Sequence, residues 1–177
     1  MNSHYIFVLT KKIKFMFSSN NKYVLLIALA SALGGFLFGY DWVVIGGAKA
    51  FYEIYFSIEN IPWLQGWAMS SAILGCLIGV AISGSLSDKY GRKIMLMIAA
   101  LIFIICGVGT GAVNSINWFV FFRIFGGVGI GLASNVSPIY ISEISPSAVR
   151  GKFVSFYQLA IVLGILSAQI TNWLIAR

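Results

Sequence analysis

Five almost charge-free runs of 20 to 25 residues dominate this sequence: Tyr23–Gly47, Trp63–Leu86, Ile94–Val113, Trp118–Ile141 and Phe153–Ala176. A helix rises about 1.5 Å per residue, so each run matches the roughly 30 Å hydrocarbon core of a bilayer. A chain of 177 residues has no soluble way to hide five of them. Only 10% of its residues are charged, whereas a soluble domain carries about 25%. That shortage excludes a soluble enzyme, a secreted disulfide scaffold and a disordered tail. Membrane barrels are built from alternating segments of about ten residues, which these continuous runs do not resemble. The expected fold is an all-α membrane protein with five transmembrane helices.

The breaks between runs are short. Lys49–Pro62 reads as a polar, aromatic loop, Ser87–Lys93 as a charged turn, Asn114–Asn117 as a neutral turn, and Glu143–Gly151 as a charged link containing Pro146. Residues 1–22 read as a tail and 23–177 as a helical bundle. The tail does not read as a signal peptide, because Tyr5–Leu9 is too short an apolar stretch and the basic cluster follows it; a cytoplasmic tail is expected rather than an interfacial anchor. Met16 offers an alternative start.

Orientation follows from lysine and arginine. Lys11, Lys12, Lys14 and Lys22, then Lys89, Arg92 and Lys93, then Arg150 and Lys152 put nine cations on one side, and Lys49 stands alone in the opposite loops. The N-terminus is therefore expected in the cytoplasm, and the protein in the cell (inner or plasma) membrane as a multi-pass chain. Trp42, Trp63, Trp67, Trp118 and Trp173 fall near outer span ends, where an aromatic belt sits.

The net charge of +7 comes with no basic stripe of the kind that tracks phosphates, so no nucleic-acid partner is expected. Cys76 and Cys106 lie inside apolar runs and His4 has no sequence partners, so neither a metal site nor a cofactor is indicated. Gly127-x-Gly129-x-Gly131 superficially looks like a nucleotide loop, but no strand precedes it and no acidic ribose ligand follows. Small residues four apart are better read as helix-packing faces: Gly75, Gly79 and Ser83; Gly107 and Gly111; Gly127 and Gly131.

Two ionisable residues lie within the spans, Asp41 and Arg123. Such residues are costly in lipid and mark pathways or buried pairs. Counted from the outer ends of their runs, both sit roughly 8–9 Å deep, so they can pair. Burial disfavours a charged carboxylate and a nearby guanidinium favours it. Arginine stays charged, so any protonation switch must be Asp41. The competing reading is an ion pair that only aligns two helices. Neither residue has a nucleophile or metal-ligand set beside it, and nothing suggests catalysis.

Gly34-Gly35-Phe36-Leu37-Phe38-Gly39-Tyr40-Asp41 resembles the first span of the sugar porters of the major facilitator superfamily, and Gly84–Lys93 resembles the superfamily signature between the second and third spans. Arg123–Gly131 with Pro138–Pro146 and Arg150-Gly151 is similar to the fourth-span signature, and Gln158-Leu159 with Gly164 to the fifth span. The resemblance implies that Asp41 is a proton-coupling acid partnered by Arg123, and that Phe38, Gln158, Ile161 and Ile165 contact a monosaccharide. It also implies that Asp88, Arg92, Glu143 and Arg150 form a cytoplasmic gate network; for Lys89 and Lys93, ordinary positive-inside anchoring is preferred. Such transporters have two six-span halves with substrate held between them.

This chain carries five spans. It is expected to be the incomplete N-terminal half of a sugar:proton symporter, inactive alone, whose missing partner is the C-terminal half. The alternatives are a non-transporting membrane interaction protein or sugar-sensor remnant, and a small oligomeric pore. The orientation is testable with a phosphatase reporter: fused after Arg177 it should be active and after Lys93 inactive, and the reverse would overturn the topology.

Overall fold

The computed structural model describes residues 19–147 and 149–176, with side chains from Leu25 onward. Lys11, Lys12, Lys14, His4, Met16 and Arg177 lie outside the described residues. Among the described residues six helices follow in order: α1 (Ser19–Gly47), α2 (Lys49–Tyr55), α3 (Pro62–Tyr90), α4 (Arg92–Ala112), α5 (Ile116–Ile144) and α6 (Arg150–Ile175). All except α2 are long and apolar enough to cross a membrane. The last residues assigned to the tail, Ser19–Lys22, already belong to α1.

Two other sequence expectations need correction. Ser87–Lys93 is not an open turn. Helix α3 runs to Tyr90 and α4 starts at Arg92, leaving Gly91 as the break. Its φ of 86° lies in the region that favours glycine, which allows one residue to turn the chain. The expected loop at 49–62 contains α2, whose Lys49 and Glu53 pair at i,i+4. Buried Tyr52 packs its ring on Phe119 at 5.6 Å and Phe56 on Phe119 at 5.4 Å, both tilted, so aromatic burial folds this connection down over the start of α5.

Helix α5 is central. It packs most heavily on α3 and also on α4 and α1, while α6 packs chiefly on α1. The tightest seams are built from glycine. A Cβ on Gly75 or Gly79 of α3 would land on the carbonyl oxygens of Ile124 or Val128. In return, one on Gly127 or Gly131 would land on those of Ala72 or Cys76. The α1–α6 seam repeats the device, with Gly39 against the Ile161 carbonyl and Gly164 against that of Phe36. Gly107 and Gly111 depart from the expected pattern: nothing lies within 4 Å of either, because that stripe of α4 faces away from its neighbours. Gly109, on another face, is the residue that meets the Phe122 ring.

Side-chain hydrogen bonds reinforce these seams. Asn135 donates to Ser83 Oγ at 2.6 Å between α5 and α3, and Asn172 donates to the Val43 carbonyl at 3.1 Å between α6 and α1. Pro138 lies inside α5 and has no N–H to offer the carbonyl four residues back, that of Ser134. The Tyr157 hydroxyl of α6 donates to that carbonyl at 3.2 Å. A backbone group freed in the membrane interior is thus satisfied by the neighbouring helix.

Gly75→Val and Gly164→Val should each destabilise the chain by about 3 kcal/mol, or about 6–12 °C in apparent melting temperature. Gly107→Ala should be neutral or slightly stabilising. Thermal unfolding in detergent checks the contrast; equal losses would contradict the assignment of the seams.

Candidate functional site: a membrane ion pair and its cavity

Asp41 and Arg123 meet. Arg123 Nη1 donates to Asp41 Oδ1 at 2.7 Å, joining α1 to α5 across 82 residues of sequence. The pair is largely withdrawn from the surface, with side chains 25% and 10% exposed. The depth matching read from span ends therefore holds. Direct packing of α1 on α5, where Gly34 lies against Ser137 and Ala133, brings the two charges to one level.

A cavity of about 250 Å³ opens beside the pair, lined by Phe38, Asp41, Trp42, Met69, Ser70 and Arg123, among others. A smaller one of about 70 Å³ lies on the α4 side, where Cys106, Thr110 and Phe122 join the same two charges. The ion pair thus forms part of the wall of both. The polar atoms facing the larger cavity are few and the apolar wall is extensive, an arrangement suited to a small ligand with both hydroxyl and hydrocarbon faces.

The four residues implied as sugar contacts do not surround one cavity. Phe38 shares the larger cavity with Asp41 and Arg123. Gln158, Ile161 and Ile165 lie along one face of α6, with Gln158 and Ile165 exposed and Ile161 half-buried, and none lines that cavity. The Ile161 carbonyl instead faces Gly39, one residue from Phe38, so the two sets occupy adjacent helices with their side chains apart.

At the opposite end of the bundle, Arg92 gathers two acids. Its Nη1 lies 2.6 Å from Asp88 Oδ1 and its Nη2 lies 3.3 Å from Glu143 Oε1, linking the start of α4 to the ends of α3 and α5. Ser87 Oγ accepts from the same guanidinium at 3.2 Å. Arg150 stands exposed at the start of α6 and forms no ion pair among the described residues. The cluster therefore joins three of the four charges named from sequence.

With this arrangement in place, comparison with known proteins is decisive. Residues 27–177 match the family described as sugar (and other) transporter. The chain belongs to that family. It is 43% identical over 159 residues to a glucose transport protein of Synechocystis sp., covering 90% of this chain and 34% of that protein. It is 40% identical over 182 residues to the D-xylose-proton symporter of Escherichia coli, covering 89% and 37%. The solved structure of the major facilitator proton:xylose symporter XylE bound to 6-bromo-6-deoxy-D-glucose superposes with a TM-score of 0.82 at 40% identity, covering 89% of this chain and 38% of that one. An inward-open XylE structure from E. coli gives 0.80, with 88% and 40% covered. The chain spans about a third of the length of the curated relatives it matches and corresponds to the N-terminal part of the major facilitator fold.

Sequence reading missed Tyr52 and Glu53 on α2, which lie near the pair, and Tyr157, which serves Pro138. Burial pushes the Tyr52 hydroxyl above its ordinary pKa, helped by the charge of Glu53 and opposed by that of Arg123. The i,i+4 spacing of Lys49 and Glu53 was the available signal for α2, and a proline within a span was the signal for a borrowed donor.

Removing one partner strands the other charge in a mostly buried site. Arg123→Met should therefore lower stability by on the order of 2–3 kcal/mol, and Asp41→Asn added to it should recover part of that loss. Thermal unfolding of the three chains checks this; no recovery in the double variant would mean the pair is not coupled.

Proposed function

We propose that this chain forms the N-terminal portion of a proton-coupled monosaccharide symporter. The observation that carries the proposal is the Asp41–Arg123 pair, a titratable carboxylate held by a permanent cation in the wall of a cavity at membrane depth. A proton taken up by Asp41 weakens its hold on Arg123, and loss of the proton restores it. Coupling requires only that the two protonation states favour different helix arrangements. Phe38 offers an aromatic face to a sugar ring, and Gln158 offers an amide donor and acceptor to its hydroxyls. Ile161 and Ile165 supply apolar wall.

Arg92 with Asp88 and Glu143 forms the core of the cytoplasmic gate, closing when the outer side is open; Arg150, outside that cluster in this structure, is its fourth member. The N-terminus lies in the cytoplasm and the protein resides in the cell (inner or plasma) membrane. The relatives named as proton symporters for xylose and arabinose support the reading. Gln158 and Ile165 face outward from these five spans, and a second set of helices, the C-terminal half, completes the sugar site against that face.

The 177-residue chain in liposomes under a pH gradient should therefore show no sugar uptake above empty vesicles. Saturable uptake by the chain alone would contradict the need for an opposing half. A hybrid in which residues 27–177 replace the matching segment of the E. coli D-xylose-proton symporter tests the roles. Asp41→Asn in the hybrid should abolish concentrative uptake while sugar exchange survives. Gln158→Ala removes a partner for a buried hydroxyl, about 1–3 kcal/mol, so affinity should fall roughly five- to 150-fold with coupling intact. Concentrative uptake by Asp41→Asn would remove the coupling role.

A further inference from the structure

Three buried polar atoms near the outer end of the bundle have no hydrogen-bond partner: Tyr52 Oη, Glu53 Oε1 and Arg123 Nε. Orphaned groups of this kind are rare in a packed interior. Their chemistry is complementary. Arg123 Nε–H can only donate, a Glu53 carboxylate oxygen can only accept, and the Tyr52 hydroxyl can do both.

Their placement is also related. Tyr52 is 7% exposed and its ring packs on Phe119, one helical turn from Arg123 on the same helix. The charges of Glu53 and Arg123 both act on the Tyr52 hydroxyl. Glu53 is weakly engaged, since its side chain is 15% exposed and its contact with Lys49 Nζ, at 3.6 Å, is too long for a hydrogen bond. Arg123 meanwhile uses Nη1 on Asp41 and leaves Nε free.

We propose that Tyr52 and Glu53 form a second acceptor site for Arg123, occupied when Asp41 is protonated. A carboxylic acid holds a guanidinium far less well than a carboxylate does. On protonation the proton adds to an Asp41 oxygen, the Nη1 hydrogen bond breaks, and the guanidinium turns outward. Arg123 Nε then donates to the Tyr52 hydroxyl, which donates to Glu53. Arg123 keeps its proton throughout. The exchange leaves no buried cation unpaired in either state, which is the cost that otherwise opposes protonation of Asp41. The other titratable groups here are Lys49 on α2, which lies beside Glu53, Cys106 on α4, which feels the charge of Asp41, and Cys76 on α3, which shares the larger cavity. None of them offers a buried carboxylate.

The inference rests on the proposed coupling role of Asp41 for its purpose, but its test does not require transport. The full 177-residue chain, labelled with ¹⁵N-arginine in lipid nanodiscs, reports the Arg123 Nε–H signal, assigned by its loss in Arg123→Lys. Asp41→Asn stands in for the protonated acid. It should shift that signal and slow its exchange with water at least about tenfold, as a new hydrogen bond requires. Adding Glu53→Gln or Tyr52→Phe should reverse both changes. The melting-temperature loss of Asp41→Asn with Glu53→Gln should exceed the sum of the single losses by about 2–4 °C.

Tyr52→Phe keeps the packed ring, so a purely structural tyrosine would leave the Nε–H signal where Asp41→Asn put it. That result, additive losses, or rapid exchange in every variant as expected for water as the sole partner would overturn the second site while leaving the coupling role standing. Concentrative uptake by Asp41→Asn in the hybrid would instead remove the coupling role and leave the result of the exchange experiment intact.

Discussion

Lipid tails are as apolar as leucine, so helices in a bilayer gain little from hydrophobic contact and must hold together by close approach. In this chain that approach is made at glycine. Gly75 and Gly79 meet Gly127 and Gly131 across one seam, and Gly39 meets Gly164 across another, each glycine lying against a carbonyl of the facing helix. Each seam leaves little room to slide one helix along its neighbour. Between α1 and α5 themselves, Gly34 lies against Ser137 and Ala133, and that contact sets Asp41 and Arg123 at one level, with the cavity beside them. Charge complementarity alone would leave the long Arg123 side chain free to meet a carboxylate over a range of depths.

The two ion-pair sites differ in what their charges do. Arg92, Asp88 and Glu143 lie at an end of the bundle, with both acids well exposed, where water competes with every contact. Such bonds are individually weak and readily exchanged, which suits a contact that forms and breaks as helices move. Asp41 and Arg123 lie deeper, where unpairing strands a charge. A switch at that depth works only if the released partner has somewhere to go. The short helix α2, folded down by Tyr52 and Phe56 onto Phe119, brings such a place within reach.

Much of this was legible in the sequence. The spans are written in runs whose length the bilayer dictates, and the Asp41–Arg123 pair in two charges equidistant from span ends. The glycine faces were only partly legible. Gly75, Gly79, Gly127 and Gly131 share the four-residue spacing of Gly107 and Gly111, yet only the first four face a neighbour. Spacing identifies a stripe on a helix but not the direction in which the stripe points. Gly91 was hard to read as the only break between α3 and α4 because the charges around it look like a loop, whereas they are last-turn and first-turn residues of two helices. Helix α2 was obscured because its burial depends on Phe119, more than sixty residues away. The separation of Gln158 from Phe38 is likewise invisible to motifs, which record identity and order but not which wall a side chain faces.

The central claim is that glycine-mediated helix approach holds a carboxylate and a guanidinium in direct contact inside the membrane. Dipolar-coupling NMR on the chain in lipid, with ¹³C-aspartate and ¹⁵N-arginine labels, measures the distance from Asp41 Cγ to Arg123 Nη1. The account predicts a strong coupling consistent with the 2.7 Å contact between Oδ1 and Nη1, lost when Gly34→Leu, whose side chain would meet Ser137 and Ala133, pushes α1 away from α5. A weak or absent coupling in the unsubstituted chain, or a strong one that survives that substitution, would contradict it.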